Sequence, residues 1–212
     1  MKKKHIKPTG EIKPHLITGY GSNVAPNRFI FPETKEDIEE KVANLFFRLL
    51  QDTHNSIINQ DFELVSNEEN DLDFAMKSKE EIVFLELTEI IPQQNMKGGY
   101  KNLPNDYNIG AQAQVILDLI LKKSNKYAGI KSKIFLLMYI TDDMSSPSMS
   151  CEKLVIDFLK KNEHSFVNIW FFIPILEDSG PMKILFPSSN PELIEKEVNE
   201  LRTRNVRNIS IK

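Results

Sequence analysis

The sequence predicts an α/β domain, with a mixed central β-sheet flanked by helices. Three observations carry that expectation. A capped amphipathic helix opens at Thr34. Three short strand-like segments follow it, close enough to form an antiparallel meander. Beyond residue 108, segments that are apolar on both sides alternate with amphipathic helices, the pattern of parallel strands covered on both faces. The chain has 212 residues and is 41% hydrophobic, which suits one domain with extensions and a real core.

Residues 1–33 read as a basic, irregular N-terminal arm, rich in Lys, Pro, Gly and Asn, with a short strand around Leu16–Thr18. Residues 34–212 read as a single α/β domain. Thr34 is the N-cap of its first helix, with Asp37 three residues later as an acidic capping-box variant. Ile38, Val42, Leu45, Phe46, Leu49 and Leu50 recur at helical spacing as far as about Asp52. Strand candidates follow at 62–65, 72–77 and 82–91, joined by polar turns at Asn67–Asn70 and Ser78–Glu80. The stretch 92–108 contains Gly98-Gly99 and is a long loop of the kind that often carries function. A second helix spans about 110–124, with Ala113, Ile116, Leu117 and Ile120 on one face. Residues 134–140 form an apolar strand. Ser146-Pro147 opens a third helix, 167–173 forms another buried strand, and 183–186 adds a last one. Asn190-Pro191 caps a final helix whose face is Leu193, Ile194, Val198 and Leu201.

Charge and composition narrow the function classes. Net charge is −3, so the whole chain is no strongly basic nucleic-acid binder. The charge is uneven. Lys2, Lys3, Lys4, Lys7 and Lys13 cluster at the start, and Arg202, Arg204, Arg207 and Lys212 at the end. These basic ends are phosphate contacts or solvated termini. Cys151 is the one cysteine, so no internal disulfide forms, in keeping with a reducing, cytoplasmic compartment. No apolar run follows the opening lysines, and none approaches the ~20 residues of a membrane span. His5, His15, His54 and His164 lack metal-binding spacing. No phosphate loop of the Gly-x-x-x-x-Gly-Lys-Ser/Thr type and no Gly-x-Ser-x-Gly elbow occurs.

The chemistry concentrates at Asp71-Leu72-Asp73-Phe74 and Val83-Phe84-Leu85-Glu86-Leu87-Thr88. Alternation puts Glu86 and Thr88 on one face of their strand and Leu85 and Leu87 on the other. Asp73 starts the neighbouring strand, so the two carboxylates converge if the strands pair. A buried carboxylate costs several kcal/mol, order of magnitude, unless it is paired or holds a cation. An oxygen-rich pair suits Mg²⁺ or Mn²⁺. The competing readings are an edge position or an ion pair for Glu86, with a lysine such as Lys77, and a turn role for Asp73. Glu89 falls on the opposite face.

These residues resemble the PD-(D/E)xK nuclease superfamily, with its restriction-endonuclease-like fold. The order of helix, three-strand meander, helix, strand, helix and strand matches residues of about 34 to 175. Leu72-Asp73 stands at the Pro-Asp position and Glu86-Leu87-Thr88 at the acidic strand motif. The resemblance implies metal-dependent hydrolysis of a nucleic-acid phosphodiester, DNA above all. Asp73 and Glu86 would be metal ligands, with the Leu87 carbonyl as a third donor. A glutamate from the first helix would join them, Glu39 ahead of Glu40 because Glu39 borders the apolar stripe. Gln112 or Gln114 would serve in orientation. Thr88 occupies the lysine position, and threonine supplies neither the charge nor the base. Lys101 or Lys97 from the Gly-containing loop, or Lys77, would replace it. Partners on this reading are nucleic acid and, since nucleases that cut both strands often dimerise, a homodimer or larger complex. The alternative is an inactive module on the same scaffold that binds nucleic acid or protein.

Overall fold

The computed structural model describes residues 27–53, 57–67, 71–90, 109–141 and 146–203, and its elements follow the predicted order. Helix α1 (Lys35–Thr53) is capped as expected, the Thr34 hydroxyl accepting from the Asp37 N–H at 3.2 Å. Its stripe of Ile38, Val42, Leu45, Phe46 and Leu50 is buried. Strands β1 (Glu63–Ser66), β2 (Phe74–Lys77) and β3 (Ile82–Glu89) form the antiparallel meander. Strand β2 begins at Phe74 rather than Leu72, which is buried in the core beneath α2 (Ile109–Lys126).

Strand β4 (Lys133–Tyr139) pairs parallel with β3, and β5 (Asn168–Phe172) pairs parallel with β4. Strand β6 (Met182–Phe186) closes the sheet antiparallel to β5. The result is one six-stranded mixed sheet in the order β1-β2-β3-β4-β5-β6. Helix α3 (Met149–Lys161) starts later than Ser146-Pro147 suggests. Ser148 is its cap, accepting from the Cys151 N–H at 3.2 Å. Helix α4 spans Pro191–Thr203, with proline at its first position as expected.

Two cores sandwich the sheet. Helix α1 packs Val42 and Phe46 over Leu85, Leu87, Leu137, Trp170 and Phe172. Helices α2, α3 and α4 cover Leu136, Met138, Ile169 and Phe171 on the other face. The six-strand mixed sheet between four helices gives the restriction-endonuclease-like α/β architecture that the sequence predicts.

The described part of the predicted arm is docked on this body. Phe29 is buried with α1, Arg28 bridges Leu176, and the Phe29 N–H donates to the Ile175 carbonyl at 2.9 Å. Residues 1–26 lie outside the described residues, and with them the strand expected near Leu16 and the first basic cluster. The loop 92–108 also lies outside, as do Arg204, Arg207 and Lys212.

Candidate functional site

The antiparallel ladder between β2 and β3 ends at the pair Phe74 and Leu85. The next β3 donor would lack a partner there. Asp73 supplies it from the side, its Oδ2 accepting from the Leu87 N–H at 2.7 Å. That bond draws Asp73 alongside Glu86, one residue back on the same strand. Its field on Glu86 and on Glu39 raises the pKa of both.

Glu86 is 1% exposed, on the β3 face turned towards α2. Its Oε1 is in contact with Lys123 Nζ, and its Oε2 is buried with no hydrogen-bond partner. Burial pushes its pKa up, Asp73 adds to this, and Lys123 opposes both. Thr88, two residues on and on the same face, is 6% exposed, and its hydroxyl also lacks a partner. Unpartnered polar atoms this deep are uncommon, and each asks for water or an ion.

Glu39 reaches the site from α1. It is buried, while Glu40 is exposed, as the helical wheel requires. Burial, then Asp73, push the Glu39 pKa up to about 7, and Lys35 one turn earlier opposes them at 3.1 Å. Burial lowers the Lys35 pKa, but Glu39, Asp73 and Glu86 outweigh it and hold it up. Tyr127 donates to the Asp71 carbonyl at 2.8 Å. Burial and then Glu86 raise its pKa, so the phenol remains protonated. Lys126 donates to the same carbonyl at 3.1 Å.

The other expected residues fall elsewhere. Lys77 lies at the far end of β2, opposite Ile82, three residues or about 10 Å along the strand from Phe74. The ion pair considered for Glu86 is therefore made with Lys123, not Lys77. Gln112 donates to the Ser146 carbonyl at 3.3 Å, at the approach to α3. Gln114 pairs with Asp118 on the exposed side of α2. Glu89 accepts from the Thr141 hydroxyl on the opposite face from Glu86. Lys97 and Lys101 lie outside the described residues.

Lys123 is the functional candidate that the sequence reading missed. The signal was present, because Lys123 and Tyr127 continue the stripe of Ile116 and Ile120 at steps of three and four. A lysine on a buried stripe calls for an acid beneath it. The donors fit a hard cation, since Mg²⁺ is commonly held by one or two carboxylates, waters and substrate phosphate. Among the described residues, no three Asp, Glu, His or Cys side chains stand together as a ready-made ligand set. Asp73 and Glu86 are the fitting pair, and the orphaned Glu86 Oε2 is the atom in need of a partner.

No protein-family model matches the chain, and no curated protein matches it. Among solved structures it is similar to Pyrococcus furiosus SfsA, determined in complex with Ca²⁺. Identity is 9% and the TM-score 0.30, over 69% of this chain and 64% of that one. Among the described residues, no helix is long and apolar enough to cross a membrane.

Proposed function

We propose that the protein is a divergent member of the PD-(D/E)xK superfamily that hydrolyses nucleic-acid phosphodiesters, with DNA as substrate. One observation carries the reading: Glu86 is almost fully buried beside Asp73, with one carboxylate oxygen unpartnered. Asp73 and Glu86 would hold Mg²⁺ or Mn²⁺, which when bound acidifies a water and offsets charge on the phosphate. Lys123 takes the role of the lysine that Thr88 does not supply. It brings a positive charge to the same carboxylate from α2 instead of from β3. The test is incubation with labelled single- and double-stranded DNA and RNA in Mg²⁺ or Mn²⁺. Wild type should cut and Glu86→Ala should not. Equal cleavage by both proteins would sink the assignment.

A second reading has its own support. Asp73 already holds the Leu87 N–H and Glu86 already holds Lys123, so both acids have protein partners without a cation. That arrangement suits a non-catalytic module that binds nucleic acid or protein. Tight binding without a divalent ion, and no cleavage of any substrate, would favour it.

A further inference from the structure

The two cations of the site, Lys35 and Lys123, come from helices on opposite faces of the sheet. Lys35 is at 3.1 Å from Glu39, and Lys123 touches Glu86. Both carboxylates are nearly fully buried, whereas the side chains of Lys35 and Lys123 are 51% and 29% exposed. The acids are thus the fixed partners and the ammonium groups the movable ones. Lysine is suited to this, being a point charge on a flexible stem with rotatable donors. Against Glu39, Asp73 and Glu86, the two lysines leave one negative charge. In that state the cluster repels a phosphate. A divalent cation on the carboxylates reverses the sign to one positive charge, the complement of a phosphodiester monoanion.

We infer that Lys35 and Lys123 form a latent phosphodiester-binding site, closed by Glu39 and Glu86 and opened when a divalent cation draws those carboxylates away. The inference rests on the cation reading of Asp73 and Glu86. It goes beyond that reading by making cation and nucleic acid bind as reciprocal partners, each strengthening the other by the same factor. It also makes Lys123 a competitor of the cation until a phosphate arrives. The unpartnered Glu86 Oε2 marks where the cation first gains hold.

Calorimetry on the full chain tests it, with Mg²⁺ alone, a short DNA duplex alone, inorganic phosphate alone, and each anion with Mg²⁺ saturating. Duplex affinity should rise about tenfold or more with Mg²⁺, and Mg²⁺ affinity by the same factor with duplex. Lys123→Met should bind Mg²⁺ more tightly than wild type when no anion is present, yet lose the coupling. A merely structural lysine gives the opposite sign. Lys35→Met, at a half-exposed position, should also lose coupling and does not depend on the Lys123 variant folding. In wild type, Mg²⁺ should shift the ¹⁵N ammonium signals of Lys35 and Lys123 and leave that of Lys41 in place. Mg²⁺ binding without coupling, or wild-type coupling in either variant, overturns the inference and leaves the cation reading standing. Coupling to inorganic phosphate as strong as to duplex overturns the diester assignment. Absence of Mg²⁺ binding overturns the cation reading itself, and the inference with it.

Discussion

Glu39 titrates near neutrality because its carboxylate is buried beside Asp73, and Lys35 only partly offsets that cost. Its folded pKa of about 7 stands above the ordinary 4.5. Between those values the folded protein keeps a proton that the unfolded chain has lost. Stability should therefore be highest below about pH 4.5 as far as this residue is concerned. It should fall as pH rises to about 7 and level off above. Glu86, also raised, contributes in the same direction. Urea unfolding across that range should show the decline, and Glu39→Gln should flatten part of it. An unchanged slope in the variant would remove Glu39 as the source. The same proton opposes a cation, so Mg²⁺ affinity should climb through about pH 7 in wild type and less steeply in Glu39→Gln, as read by calorimetry at several pH values.

At the scale of elements, caps and turns hold the helices that deliver these side chains. Ser148 satisfies the Cys151 N–H at the start of α3, and Ser148→Ala should cost about 1 kcal/mol, seen as a lower urea midpoint with unchanged slope. The turn between β5 and β6 is more demanding. A Cβ on Gly180 would stand 2.1 Å from the Ile173 carbonyl oxygen, a backbone atom that cannot swing aside. Gly180→Ala should destabilise by about 1–3 kcal/mol in the same assay, and a neutral result would mean that the turn relaxes freely. This turn also matters for the start of the domain. Ile175 and Glu177 accept the backbone N–H groups of Phe29 and Ile30, and Lys41 of α1 pairs with Glu177 at 2.9 Å.

At the scale of the molecule, the sheet is the rigid part that sets α1 and α2 on opposite faces with the acids at their junction. Phe46 joins α1 to the sheet, with its ring 5.6 Å from Trp170 and 6.0 Å from Phe172. Phe46→Ala should cost about 3–5 kcal/mol in global unfolding. Because Glu39 lies two turns before Phe46 on the same helix, the variant should also weaken the pH dependence assigned to Glu39. A full-sized pH slope in folded Phe46→Ala would show that the N-terminal part of α1 is held independently.

The fold was legible because its signals are local and repeated. The stripe from Ile38 to Leu50 specifies one helix, alternation around Glu86 specifies one strand face, and the unbroken apolar run at 134–140 specifies a strand covered on both sides. The acid pair was legible for the same reason, since a glutamate between Leu85 and Leu87 is anomalous at a distance of one residue. Glu39 over Glu40 followed from helical geometry alone. The cation opposite Glu86 was not legible. Lys77, Lys97 and Lys101 are near it in the chain, whereas Lys123 is 37 residues away. The contact exists because β3 is followed by a helix that crosses over the sheet, and that crossover, not proximity in sequence, selects the lysine. By itself the sequence determined which residues are buried, which elements they form and which two acids are out of place. Only the tertiary structure decided which charges meet, because an ion pair depends on where packed helices bring their faces, and local periodicity carries no record of that.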